Sequence, residues 1–213
     1  LIDDDMANTE QTAADLDTTA TSSVTTTEAQ RRVHLPGDVH MWVMVLGDLI
    51  IFGAYFIMFM IFRAMHPQEF LTSEEHLNIN IGVLNTLVML ASSWFIARSV
   101  QAARADDHAQ ALRLTYLGGL CGVAFIAIKA YEWTTKIAQG YTISSNDFFM
   151  YYYMLTGVHV FHVSLGLLIL GITVRELRNP RRRRASMVES GATYWHMVDL
   201  LWIVIFALLY VMR

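Results

Sequence analysis

Five long stretches of the chain are apolar and nearly free of charge: Val39 to Phe62, Ile79 to Ala97, Leu114 to Trp133, Phe148 to Val174 and Tyr194 to Met212. Each is close to the ~20 residues that carry a helix across a ~30 Å hydrocarbon core. Core helices of a soluble two-layer domain would show polar interruptions at helical period, and these runs do not. In lipid every backbone polar group must be satisfied internally, so runs of this length predict an all-α integral membrane bundle of five transmembrane helices. The prolines Pro36, Pro67 and Pro180 all fall between or before the runs.

The segment ahead of the first run, residues 1–35, is rich in Thr, Asp, Glu and Ala and poor in large apolar residues. That composition predicts a disordered polar tail, followed by a membrane domain over residues 36–213. The tail lacks an apolar stretch and is acidic up to Arg31 and Arg32, unlike a secretory signal or a mitochondrial presequence. Met6 reads as the start of the chain, with Leu1 to Asp5 upstream of it. The mean hydropathy of only +0.38 is the average of the tail and the spans. Cys121 is the single cysteine and reads as a small core residue.

Charge orients the bundle. Of 15 Lys and Arg residues, Arg31, Arg32, Arg98, Arg104, Arg113, Arg175, Arg178 and Arg181 to Arg184 fall on one side if the connections alternate. The other side holds Arg63, Lys136 and Arg213, and Lys129 lies within a run. The excess of basic residues predicts a cytoplasmic N-terminus and an outside C-terminus. The run Arg181 to Arg184 could neutralise nucleic-acid phosphates, but a short basic connection between spans needs only lipid headgroups, and no nucleic-acid recognition module accompanies it.

Candidate chemistry lies in the few polar residues inside the runs: Asp48, Asn85, Lys129, Glu132, His159, His162 and Asp199. Ionisable groups at membrane depth are costly and mark function or obligatory helix packing. On a rise of ~1.5 Å per residue, Asp48, Asn85, His162, His159 and Lys129 fall about 14–22 Å from the basic side. On the same ruler Asp199 is shallower, at about 8 Å, and Glu132 is near the outer edge at about 27 Å. Lys129 and Glu132, three apart, are expected to neutralise each other. Asp48 is expected to pair across helices with His162 or with Asn85. His159 and His162 share a stripe that could offer ligands to a metal or haem. The remaining histidines, His34, His40, His66, His76, His108 and His196, fall in tails, connections or helix ends, and only His40 and His196 could join them. That supply is short of the three or four convergent ligands a metal site needs, so no metal or cofactor is expected in this chain. Gly53, Ala91, Ser92, Ser93, Gly118, Gly119, Gly122, Gly157 and Gly166 are candidates for close helix packing. Trp42, Trp133, Tyr141 and Trp195 suit an interfacial aromatic belt.

Four motifs in order carry a family resemblance. Thr156-Gly157-Val158-His159-Val160-Phe161-His162-Val163-Ser164-Leu165-Gly166, in the fourth run, resembles the TG-x-H-x-x-H-V-x-x-G segment of subunit III of the haem-copper oxidases. Tyr194-Trp195-His196-Met197-Val198-Asp199-Leu200-Leu201-Trp202, followed by Phe206 and Tyr210, resembles that family's W-H-x-V-D-x-x-W segment. Asn85-Thr86 with Ser92-Ser93, and Tyr131-Glu132-Trp133, resemble two further patterns. The resemblance covers about Leu35 to Arg213 and matches the short five-helix bacterial form.

The resemblance implies a V-shaped bundle that binds phospholipid and carries no haem or copper of its own. It implies a large-subunit partner of the subunit I type that holds those cofactors, other respiratory-chain subunits alongside, and a place in the bacterial inner membrane. The chain would be a non-catalytic subunit that supports turnover and proton uptake in aerobic electron transport. Asp48, Asn85, Glu132, His159, His162, His196, Asp199 and Trp202 are then its lipid-contacting or structural polar positions. Two departures stand out. Gly47-Asp48 replaces the usual Ser-Glu, and Lys129 stands where Gln is common. The Gly-Asp pair is more similar to the accessory subunit of nitric oxide reductase, which is the alternative reading. A stand-alone haem or quinone redox protein and a proton-coupled transporter are two further readings, the latter disfavoured because no run is broken by proline.

Overall fold

The computed structural model describes residues 39–74, 76–179 and 185–212. The expected polar tail, with His34, and the whole run Arg181 to Arg184 lie outside the described residues. The described elements are all helical: α1 (Val39–Met65), α2 (Pro67–Glu74), α3 (Ile79–Arg104), α4 (His108–Ala138), α5 (Asp147–Arg178) and α6 (Ala185–Phe206), with a π-helical turn at Ala207–Val211. Five of these helices are long and apolar enough to cross a membrane.

Every spanning helix is longer than its apolar run. α3 begins at Ile79, where Asn78 accepts a hydrogen bond from the Asn80 amide at 3.0 Å. α4 starts behind Asp107, which accepts from Gln110 N at 3.0 Å, and α5 behind Asn146, which accepts from Phe149 N at 2.9 Å. These side chains satisfy amides that a helix start leaves without partners, and α4 and α5 begin in polar sequence ahead of their apolar runs. Arg98, Arg104, Arg175 and Arg178 consequently lie near the C-terminal ends of helices, and Arg113 near the start of α4, rather than in loops. α4 runs on to Ala138, six residues past Glu132, which places this carboxylate about 9 Å inside the helix end.

The short helix α2 was not expected from the apolar pattern. Pro67 opens it, a position where the missing amide costs nothing. Phe70 is fully buried against Phe59 and Phe148. Glu69 accepts from the Asp147 amide at 3.1 Å, and Ser73 receives Asn146 Nδ2 at 2.7 Å, so α2 closes over the start of α5. Arg63 pairs with Glu74 and donates to the Met212 carbonyl, and Lys136 donates to the His76 carbonyl. This end of the bundle is laced by polar contacts.

The core is organised around α6. More than half of its most apolar window is buried (56 %), against 17 % for α1. Tyr194, Trp195, Val198, Leu201, Trp202, Ile205 and Leu209 lie along it with almost no exposure. It packs on α3 and α5, while α3 pairs most extensively with α4 and α1 touches α5 and α6 sparsely. Trp195 is therefore not a belt residue. It fills the space left by two glycines: a Cβ at Gly122 would stand 2.6 Å from its ring and one at Gly166 2.9 Å from it. Gly118 admits Ile96 in the same way, at 2.6 Å. Gly53 does not belong with them, since a Cβ there would meet nothing within 4 Å. The outward faces of α1, α3 and α4 present Ile50, Ile57, Leu87, Leu120 and other large apolar side chains, a surface suited to lipid or to a partner's helices.

Candidate functional site

Three groups of polar side chains interrupt the apolar interior. The first is built on α4, three residues apart, as their spacing predicts. Lys129 Nζ donates to Glu132 Oε2 at 2.9 Å, and both side chains are sealed, at 0 % and 1 % exposure. Lys129 also donates to Tyr210 Oη at 2.8 Å and Tyr152 Oη at 3.3 Å, so the three ammonium protons each have a partner. Tyr210 in turn donates to Glu132 Oε1 at 2.6 Å. The rings of Tyr152, Trp202 and Tyr210 stand 4.8, 5.2 and 5.3 Å from the ammonium, close enough for cation–π attraction. A buried ion pair offsets its desolvation only when its remaining hydrogen-bonding capacity is met, and here two tyrosines meet it. Sequence reasoning found the pair but not the tyrosines, because a tyrosine in an apolar run reads as packing. Tyr210 lies in the π-helical turn, whose wider winding is sealed by Met212 N donating to Ala207 O at 3.0 Å.

Beneath this cage lies a stacked layer. His159 is fully buried, edge-on to Phe125 at 5.6 Å and over Trp202 at 5.3 Å. Neither of its ring nitrogens has a hydrogen-bond partner among the described residues. Trp202 donates its indole N–H to Thr86 Oγ1 at 3.1 Å. Asn85, one residue earlier on α3, is fully buried with neither amide atom paired among the described residues. The Asp48–Asn85 pairing is thus not formed.

The second group is the other half of that expectation. His162 Nε2 lies 3.5 Å from Asp48 Oδ1, and its Nδ1 is 2.8 Å from the Val158 carbonyl one turn back, which favours an Nδ1–H tautomer. Phe52 lies edge-on to the imidazole at 5.2 Å. Unlike Lys129 and Glu132, the pair is partly open, with side chains 14 % and 18 % exposed. His159 and His162 share a stripe of α5 yet face different partners.

The third group sits toward the arginine-rich end. His196 Nδ1 is 2.7 Å from Ser93 Oγ on α3 and 4.0 Å from Asp199 Oδ2 one turn along α6. His196 lines a cleft of about 290 Å³ together with Gln101, Thr193 and the ion pair between Arg104 Nε and Glu189 Oε1 at 2.8 Å. A ladder of hydroxyls ties α3 to its neighbours nearby: Ser92 donates to Gly118 O at 2.8 Å and receives Trp195 Nε1 at 3.0 Å, and Ser99 contacts Thr115 at 2.7 Å. Among the described residues no group of three or more His, Cys, Asp and Glu converges where a metal could be held.

The geometry is that of a scaffold whose polar groups face one another. The model of the family described as cytochrome c oxidase subunit III matches residues 21–213. The chain belongs to that family. The cytochrome c oxidase subunit 3 of Thermostichus vulcanus is 31 % identical over 173 residues, 80 % of this chain and 84 % of that one. A probable cytochrome c oxidase subunit 3 from Mycobacterium leprae is 33 % identical over 175 residues, 80 % and 85 % of the two chains. A haem-copper oxidase subunit I+III from Aeropyrum pernix is 27 % identical over 184 residues, 80 % of this chain but 22 % of that longer protein. The match extends over the four motifs and beyond them into the polar N-terminal segment. The five-helix membrane bundle is a subunit III bundle, and its role is that of a non-catalytic oxidase subunit.

Proposed function

We propose that this chain is subunit III of an oxygen-reducing haem-copper oxidase in a bacterial cell membrane. It stands beside a large subunit of the subunit I type, with its N-terminus in the cytoplasm. The observation that carries the reading is family membership over nearly the whole chain, supported by the fused subunit I+III of Aeropyrum pernix. Haem and copper belong to the large subunit. This chain steadies its partner's turnover and proton uptake by presenting a fixed apolar surface and by holding phospholipid.

The eight polar positions divide between two roles. Glu132, Asn85, His159, Asp199 and Trp202 are enclosed and hold helices together. Asp48, His162 and His196 retain exposure and are the ones a lipid headgroup or a partner side chain can reach. Of these the Asp48–His162 pair lies on the sparsely packed side of α1, where a lipid can enter.

Affinity purification of the tagged chain from native membranes, followed by mass spectrometry, tests the partner. Recovery of an oxygen-reducing subunit I supports the reading, and recovery of a nitric oxide reductase large subunit replaces it. The Gly47-Asp48 pair does not decide between them by packing, since a Cβ at Gly47 would meet nothing within 4 Å. Replacing His162 with Ala is expected to lower the phospholipid retained by the purified complex; unchanged lipid stoichiometry removes the headgroup role.

A further inference from the structure

A groove on the outer face between α4 and α5 lies apart from all three polar groups. It encloses about 380 Å³ and is lined by Tyr116, Gly119, Leu120, Leu167, Gly171 and Val174 among others. Two glycines open it: a Cβ at Gly171 would meet nothing within 4 Å, and one at Gly119 only Leu167 at 4.0 Å. From Thr115 to Val123 it follows α4 for about 12 Å along the helix axis, and its walls are almost wholly apolar over that length. Its upper end is basic. The Arg178 guanidinium lies 5.5 Å from the centre of the Tyr116 ring, one turn beyond Val174 on α5. Arg113, exposed, is one turn above Tyr116 on α4, and exposed Arg175 lies nearby on α5. The carboxylates of this region are Glu176, half-buried, and Asp106 and Asp107 in the α3–α4 turn, where Asp107 is occupied in capping α4.

We propose that this groove is a binding site for an anionic phospholipid. One acyl chain lies in the apolar groove, and the phosphate is held by Arg178 and Arg113 at the membrane surface. Charge complementarity selects the occupant, since a guanidinium fixed on an aromatic face at the mouth of an acyl-sized groove matches a phosphodiester without a neutralising ammonium. A zwitterionic lipid would fit the groove but bring its own cation to the arginines. The site is separate from the Asp48–His162 position and does not depend on which large subunit is the partner.

The test uses the complete purified complex in nanodiscs of mixed phosphatidylglycerol and phosphatidylcholine, with bound lipid counted by native mass spectrometry. Arg113→Gln with Arg178→Gln is expected to lower retained phosphatidylglycerol at least threefold relative to phosphatidylcholine, and Arg113→Lys with Arg178→Lys to keep most of the preference. Gly119→Leu with Gly171→Leu fills the groove and should lower retention of both lipids while the large subunit still co-purifies. Unchanged phosphatidylglycerol preference in the glutamine pair overturns the proposal. So does loss of the large subunit on filling the groove, which would make this face a protein contact. If no oxidase subunit accompanies the unaltered chain, the functional reading fails, and the lipid counts on the chain alone still decide the groove.

Discussion

Lys129 shows how one residue can look wrong by local rules and be right in context. An ammonium in the middle of an apolar helix is expensive unless paired, and the pairing here uses Glu132 one turn on, two tyrosine hydroxyls and three aromatic faces. Tyr210 touches both charges. Tyr210→Phe should therefore cost about 1–3 kcal/mol, the usual penalty for leaving a buried polar group unsatisfied. Glu132→Gln leaves the cation without its counter-charge and should cost about 3–5 kcal/mol. Lys129→Met combined with Glu132→Gln should be milder than the Glu132 change alone, because the two act as one unit. Thermal unfolding of the detergent-solubilised protein ranks the three, and a loss from the double change larger than that from Glu132→Gln alone would show that the pair is not coupled.

Among the elements, α6 does the most to fix the arrangement of its neighbours. Trp195 is too large for a helix–helix interface of ordinary side chains, so the facing helices supply glycine where its indole enters. This distinguishes glycines that a motif scan treats alike. Gly122→Ala places a methyl group against an aromatic ring that cannot bend away and should destabilise by about 1–3 kcal/mol. Gly53→Ala meets open space and removes only backbone freedom, so its effect should stay within about 0.5 kcal/mol and lean toward stabilisation. Melting temperatures of the two variants measured side by side decide the matter; equal shifts would mean that α6 does not set the spacing. The extra helix α2 belongs to the same scale. Its Pro67 start and single buried Phe70 are too short a pattern to compete with the spans on either side, and only the start of α5 beneath it gives it a function.

For the whole molecule, the proposed orientation rests on the arginines near helix ends on one side of the bundle, against Arg63 and Lys136 on the other. Both of those latter side chains are tied to carbonyls of the same end, so they serve as ties between segments as much as surface charge. With half-buried Cys121 replaced by Ala, a single exposed cysteine at Ser144→Cys should react with an impermeant maleimide added outside intact cells. Ala105→Cys, exposed at the opposite end, should react only after the membrane is opened. The reverse pattern would invert the assignment of sides. The sparse packing of α1 against the rest leaves the Asp48–His162 pair partly exposed while the Lys129 cage is closed.

Length and polarity along the chain determined the number of spans and the class of fold, because the bilayer imposes a length on any helix that crosses it, whatever its neighbours. The i,i+3 spacing likewise determined the Lys129–Glu132 pair, since neighbours on one helix face meet regardless of tertiary context. The Asp48–His162 contact was legible as one of two choices, and the four motifs were enough to suggest the family. Helix ends ran past the apolar runs because caps are polar and sit outside the hydrophobic signal. Only the tertiary structure decided that Trp195 is core and not belt, that Tyr152 and Tyr210 complete the charged cage, and that His159 stacks on Trp202 instead of bonding a carboxylate. Those facts depend on which helices lie side by side and at what rotation, and nothing local to a single run encodes the partner across the interface.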